Sequence, residues 1–89
     1  MKAEDLRVFD NQPLTPYLAT AICEGFCEGE NANARDVLTA WAYMGKTGLH
    51  NSLQGWFGRT MEQMTGAGLF DEEYNLSDYA EETLASHGY

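Results

Sequence analysis

Apolar residues recur every three or four positions along this 89-residue chain, in short runs that begin at a capping residue and end near a glycine. The first run is Leu18, Ile22 and Phe26, and Thr15-Pro16 precedes it. A hydroxyl at the N-cap and a proline in the first turn both favour a helix start. The spacing places these side chains on one helix face. It predicts a first helix that ends in a turn at residues 28–31.

A second helix is predicted from a capping box. Asn33 precedes Asp36 by three residues, so the two side chains can each accept a hydrogen bond from the other's backbone N–H. Val37, Trp41 and Met44 then form one apolar stripe. Burying three side chains of this size stabilises a fold by roughly 1.5–3 kcal/mol each, so this helix should anchor the core.

Residues 49–57 form a third segment, whose apolar residues Leu49, Leu53, Trp56 and Phe57 lie on one side. Gly58-Arg59 follows it as a predicted break. Thr60 and Gln63 then make a second capping box, which predicts that a fourth helix begins at Thr60. Its last turn should lie near residues 66–68, where two glycines occur.

A short last helix is predicted, capped by Asn75 or Ser77, around which Leu76, Ala80 and Leu84 face inward. No segment alternates convincingly between apolar and polar residues, so no strand is predicted. The sequence therefore predicts an all-α fold, a small bundle of four to five short helices forming one domain over residues 1–89. Residues 1–12 fit either a short helical turn or an extended, loosely ordered arm.

Acidic residues dominate the charge of the chain. Fourteen Asp and Glu stand against five Lys and Arg, which gives a formal net charge of −9. Residues 60–89 carry seven acids and no base, and six of these acids fall within residues 71–82. Glu28 and Glu30 close the first helical segment at an electrostatically unfavourable C-terminus.

This distribution has two interpretations. It is either a solvated face that keeps the chain soluble, or an anionic surface directed at a basic partner. The second interpretation names eight candidate partner-binding residues: Glu28, Glu30, Asp71, Glu72, Glu73, Asp78, Glu81 and Glu82. The same acidity disfavours direct nucleic-acid binding, which depends on Lys and Arg to neutralise phosphates.

Catalytic and metal-binding patterns do not assemble in this sequence. Cys23 and Cys27 lie four residues apart, but their spacing to His50 and His87 matches no usual zinc pattern. The neighbouring Glu24 would raise a thiol pKa and so disfavour a cysteine nucleophile. We expect no catalytic residue, no metal and no cofactor, and two cysteines that pack as small apolar side chains.

Membrane insertion and secretion are not expected either. No window approaches ~18 apolar residues, and acids occupy the N-terminus where a signal peptide has basic and then apolar residues. We expect a cytoplasmic monomer that has no membrane partner.

The least acidic part of the chain, residues 31–59, suggests an alternative function. Helices joined by glycine-containing turns between residues 34 and 67 resemble a helix-turn-helix arrangement. Arg59 and Gln63 would then contact DNA from a recognition helix that begins near Thr60. The seven acids of residues 60–89 disfavour this alternative because they repel phosphates.

The most distinctive string of the chain is Leu53-Gln54-Gly55-Trp56-Phe57-Gly58-Arg59-Thr60. Together with Ala40-Trp41-Ala42-Tyr43, Thr47-Gly48-Leu49 and Gly68-Leu69-Phe70, it resembles the core of small phage and prophage proteins. This resemblance covers about residues 38–70. Taken whole, the small acidic chain is similar to anti-CRISPR proteins, in particular those that inhibit type I-F surveillance complexes.

The resemblance implies an inhibitor that acts in the cytoplasm of the infected bacterial host. Its partner would be a CRISPR-Cas effector complex, a protein with a basic nucleic-acid-binding surface. The inhibitor would occupy the basic channel that target DNA enters and would bind no nucleic acid itself. The eight carboxylates would then pair with the Lys and Arg side chains that otherwise hold phosphates.

Overall fold

The structure, a computed structural model, describes residues 2–25 and 31–89 and is mostly helical. Four α-helices follow one another along this part of the chain: α1 (Pro16–Glu24), α2 (Ala34–Thr47), α3 (Gly55–Gly66) and α4 (Asp78–Ser86). Short 3-10 turns occupy Ala3–Asp5, Phe9–Asn11 and Leu49–Asn51.

A two-stranded antiparallel sheet precedes the helices, so the prediction of a fold without strands is wrong. Strand β1 (Arg7–Val8) pairs with β2 (Gln12–Pro13). In the connecting turn, Asp10 and Asn11 have φ values of 58° and 57°. This left-handed conformation is tolerated better by Asp and Asn than by other non-glycine residues, because their short polar side chains bond locally.

The N-terminal segment belongs to the core of the protein. Leu6, Val8 and Leu14 are all buried and lie in the same cluster as the helical core residues. A helical turn or a loosely ordered arm was expected for residues 1–12. Residues 2–13 instead combine a 3-10 turn with a hairpin that packs on α2.

Local capping signals place the first two helices. The Thr15 hydroxyl accepts a hydrogen bond from the Leu18 N–H at 3.1 Å, and Pro16 begins α1. Gly25, at φ 75°, ends α1 at Glu24, earlier than the predicted turn. Residues 26–30, including the predicted stripe member Phe26, lie outside the described residues.

The predicted capping box of α2 is confirmed. The Asn33 N–H donates to Asp36 Oδ2 at 3.1 Å, and the Asp36 N–H donates to Asn33 Oδ1 at 2.9 Å. Five consecutive residues of α2 are buried, 40–44, which shows that the chain surrounds this helix on more than one side. Trp41 contacts the rings of Trp56 and Phe57, at centroid distances of 6.2 and 5.9 Å.

The predicted break between a third and a fourth helix is wrong. Helix α3 runs without interruption through Gly58-Arg59, and the expected capping residue Thr60 lies inside it. Phe57 and Met61, four residues apart, are buried to 1% and 3% exposure. Their burial contributes roughly 1.5–3 kcal/mol each, which exceeds the cost of about 1 kcal/mol for a glycine within a helix.

Helix α4 is short, and only two of its side chains are buried. The Ser77 hydroxyl accepts from the Ala80 N–H at 3.1 Å, so Ser77 rather than Asn75 is the N-cap. Ala80 and Leu84 are the buried residues of this helix, and every other residue of α4 is exposed. Helix α4 therefore leaves most of its circumference exposed, and its three acids, Asp78, Glu81 and Glu82, lie within an arc of about 100°.

Candidate functional site

The six carboxylates of residues 71–82 divide into two groups. Those of the first group bond to other groups of the described chain, and those of the second do not. Asp71 belongs to the first group because its carboxylate makes hydrogen bonds within its own loop, residues 71–75. Its Oδ1 accepts from the backbone N–H groups of Asn75 and Glu73, at 2.9 and 2.8 Å, and its Oδ2 accepts from Asn75 Nδ2 at 3.1 Å. These hydrogen bonds, with the Asn75 backbone N–H as the strongest influence, hold the pKa of Asp71 below its usual range.

Lys46 ties this loop to α2. Its Nζ donates to the Glu73 carbonyl at 3.0 Å and to the Asn75 side-chain oxygen. The ring of Tyr74 lies directly over Gly45 of the same helix. The loop is therefore fixed at its ends and its centre, and Glu72 and Glu73 project from it as exposed residues.

Glu81 also belongs to the first group, because it pairs with Arg35 of α2. Arg35 Nη1 donates to both carboxylate oxygens of Glu81, at 3.2 and 3.0 Å, and Arg35 Nε donates to the Tyr89 carbonyl at 2.9 Å. The two side chains of the ion pair are 37% and 47% exposed, so the pair contributes little to stability. These contacts of Arg35 position the C-terminal segment, because they join Glu81 and Tyr89 to α2.

The remaining four carboxylates, Glu72, Glu73, Asp78 and Glu82, form the second group. Within residues 2–25 and 31–89, none of them makes a hydrogen bond through its carboxylate or takes part in an ion pair. All four residues are exposed. We call these four residues the acidic surface.

Helical spacing explains why Asp78 and Glu82 point outward. At 100° per residue, the midpoint of this pair lies about 160° around the axis from the midpoint of Ala80 and Leu84, the buried pair of α4. Tyr79 precedes Glu82 by three residues and is 58% exposed. Residues three apart are neighbours on a helix surface, so Tyr79 lies beside Glu82. Tyrosine is enriched among the residues that contribute most to protein interfaces.

Two of the eight candidate residues, Glu28 and Glu30, lie outside the described residues. Of the other six, sequence reasoning did not separate Asp71 and Glu81 from the rest. The Arg35–Glu81 contact joins residues 46 positions apart, and no local pattern signals it. For Asp71, the signal in the sequence is an acid followed by Asn75 in a turn, which is typical of a side chain that caps its own loop.

The middle of the chain does contain two helices joined by a turn. Helix α2, the 3-10 turn Leu49–Asn51 and helix α3 follow in this order. Arg59 and Gln63 are exposed on α3, and so is Glu62 between them. The charges of Arg59 and Glu62 cancel, so the exposed side of α3 offers little attraction to a phosphate backbone.

Cys23 packs against the core, and burial together with the nearby Glu24 raises its pKa to about 12. A thiol with so high a pKa is a poor nucleophile at neutral pH. Cys27 lies outside the described residues. His50 and His87 each donate from Nδ1 to a backbone carbonyl, and the described part of the chain places no three His, Cys, Asp or Glu side chains where they could hold a metal ion.

No helix in the described ranges is long and apolar enough to cross a membrane. Comparison of the chain with protein-family models, with curated proteins and with solved structures finds no match.

Proposed function

We propose that this protein is a phage-encoded inhibitor of the anti-CRISPR type, a small helical bundle that binds a CRISPR-Cas surveillance complex and blocks target DNA binding. In this proposal it acts as a monomer in the cytoplasm of the infected host and uses neither catalysis nor a cofactor. The observation that carries the proposal is the acidic surface. Its four carboxylates have no partner among the described residues and are therefore available to a basic protein.

Electrostatics explains how such a surface competes with DNA. The partner holds phosphates with rows of Lys and Arg, and exposed carboxylates pair with the same side chains. A net charge of −9 accelerates the encounter with a positively charged channel and makes the association rate fall as salt is added. Tyr79 supplies apolar contact beside the carboxylates, which slows dissociation.

The similarity of the small acidic chain as a whole to anti-CRISPR proteins supplies the choice of partner, and residues 38–70 resemble small phage proteins. The acidic surface lies outside those residues, in the C-terminal part of the chain. The proposal therefore assigns the shared region to the fold and the C-terminal part to partner binding.

The first test is co-elution of the purified protein with a type I-F surveillance complex, followed by addition of labelled target DNA. The proposal predicts a stable complex that no longer binds DNA. Failure of the folded protein to co-elute at low salt contradicts the assignment.

A pair of matched variants tests the surface itself. One neutralises the acidic surface, E72Q/E73Q/D78N/E82Q. The control makes the same four changes of residue type at exposed acids elsewhere, E4Q/D10N/E24Q/E62Q. Both variants carry the same net charge, so any difference between them reports position rather than total charge.

The expected difference follows from the energy of exposed ion pairs. Each pair contributes ~0.2–1 kcal/mol, so loss of four pairs should weaken binding by roughly 4- to 900-fold. The control variant should stay close to wild type at moderate salt, because screening removes most of the long-range contribution. Equal weakening of both variants would show that only net charge matters.

The alternative is a helix-turn-helix regulator, which the order α2, turn, α3 favours, with Arg59 and Gln63 exposed. It predicts that the protein alone shifts duplex DNA. That shift should depend on Arg59 and Gln63 and should survive neutralisation of the acidic surface. A gel-shift assay without any partner protein separates the two functions.

A further inference from the structure

An open groove runs between the N-terminal segment, α2 and residues 75–81. Its volume is about 490 Å³, which lies within the range of small-molecule sites, ~300–1,000 Å³. The groove is distinct from the acidic surface, since none of those four residues lines it.

Basic residues are concentrated in this groove. Arg7, Arg35 and Lys46 line it, and they are three of the five basic residues in the chain. Two carboxylates also line it, Asp5 and Glu81. Three cations against two carboxylates leave a formal charge of +1 in a molecule whose net charge is −9. This local excess of positive charge favours an anion in the groove over the acidic parts of the surface.

Both carboxylates of the groove have partners inside the protein. Glu81 is held by Arg35, and Asp5 Oδ2 accepts from the Lys2 backbone N–H at 3.4 Å. Two arginines retain unused donors. Arg7 uses only Nη1, which donates to the carbonyls of Glu4 and Leu6, and Arg35 uses Nε and Nη1. Within the residues that the structure describes, Nε and Nη2 of Arg7 and Nη2 of Arg35 donate to no acceptor.

The floor of the groove is mainly apolar and includes two small residues of α2, Thr39 and Ala42. Arg35, Thr39, Ala42 and Lys46 follow at spacings of four, three and four, so they share one face of α2. The Cα atoms of Arg35 and Lys46 are about 16 Å apart along the helix axis, with the small residues between them. Leu6 and Leu76 complete the apolar lining.

We propose that this groove binds a small organic anion, in which a carboxylate or phosphate group is attached to a compact apolar body. The planar guanidinium groups of Arg7 and Arg35 match the geometry of such an oxyanion. The apolar body would cover the floor between Arg35 and Lys46. This inference does not depend on the proposed inhibitor function, because it uses none of the acidic surface.

Calorimetric titration at about 20 mM salt tests the proposal with three probes: phenyl phosphate, benzoate and inorganic phosphate. At least one of the two aromatic anions should bind saturably and one to one. It should bind about tenfold more tightly than inorganic phosphate, because only the aromatic anions cover the apolar floor. The tighter of the two identifies the phosphate or the carboxylate as the preferred group. Absence of saturable binding by both aromatic anions, or equal binding of the bare phosphate, would overturn the proposal.

Two variants assign the binding to the groove. Arg7→Gln should weaken it about tenfold through loss of charge-assisted hydrogen bonds, and Arg7→Lys should also weaken it because the ammonium lacks the planar fork. Arg59→Gln is the matched control, since it removes the same charge from an exposed position on α3 that does not line the groove. Equal weakening by Arg7→Gln and Arg59→Gln would show that the anion responds only to total charge. Thermal melting of each variant establishes that it is folded.

Discussion

Gly45 is the position where a single added methyl group should disturb the candidate site most. It lies in α2 under the ring of Tyr74, and a Cβ built there would overlap Cδ1 and Cγ of that ring and lie 2.7 Å from Cε1. Tyr74 is constrained in its turn, because its φ is 60° and its ring contacts Phe70 at a centroid distance of 6.1 Å. Gly45→Ala must therefore displace the ring and, with it, the loop that carries Glu72 and Glu73.

Two opposing contributions determine how far Gly45→Ala changes the free energy of unfolding. Replacing glycine by alanine within a helix is favourable by about 1 kcal/mol, whereas forcing extra volume into a packed contact costs about 1–3 kcal/mol. Partial loss of the packing of the half-buried Tyr74 ring adds to the cost. We expect a net loss of about 1–2 kcal/mol in the free energy of unfolding, measured by urea denaturation.

Gly58→Ala is the control, because Gly58 is also inside a helix but a Cβ there meets no atom within 4 Å. The free energy of unfolding of this variant should rise by up to about 1 kcal/mol. Gly45→Ala should therefore lower the free energy of unfolding, whereas Gly58→Ala should raise it. A Gly45→Ala protein as stable as wild type, with Gly58→Ala also stabilised, would show that Tyr74 does not rest on α2.

Three further results are expected. Asp36→Ala should cost about 1–2 kcal/mol in urea denaturation, because it removes a buried capping partner of α2. In a Cys27→Ser background, Cys23 should react with iodoacetamide at pH 8 only after unfolding, because burial raises its pKa to about 12. The Asp71 carboxyl should titrate below 3.8 in an NMR experiment, because the loop hydrogen bonds lower its pKa. Its contribution to stability is therefore present above about pH 4 and is lost as acid protonates it; a midpoint at or above 3.8 would contradict this.

Local signals in the sequence account for the first two helices and for the start of the last. Thr15, Asn33 and Ser77 each accept a hydrogen bond from a backbone N–H in the first turn, a contact that depends on residues three positions apart. Such contacts can be recognised without knowledge of the rest of the fold. The starts of α1, α2 and α4 follow from them.

Tertiary contacts explain what the sequence did not predict. Gly58-Arg59 is a typical break by local preference, yet the burial of Phe57 and Met61 keeps α3 continuous. The hairpin was missed because each strand has only two residues, and its signal is the pair Asp10-Asn11 in the turn.

The same limit applies to the candidate site. The acidic run at residues 71–82 is evident from composition alone. The division of this run into bonded and unbonded carboxylates is not evident from composition. It depends on contacts distant in sequence, since Arg35 bonds to Glu81, 46 residues away, and Lys46 bonds to Asn75, 29 residues away. Arg35 and Lys46 of α2 thus bind the C-terminal part of the chain, and four carboxylates there have no ion-pair partner among the described residues.

The central claim is that the acidic surface and target DNA compete for the same basic side chains of the partner. An order-of-addition measurement tests it most directly, with a type I-F surveillance complex, labelled target DNA and increasing amounts of this protein. The account predicts mutual exclusion: pre-bound DNA should slow binding of the protein, and the concentration needed for half inhibition should rise with DNA concentration. A ternary complex that holds protein and DNA together at full occupancy would contradict it.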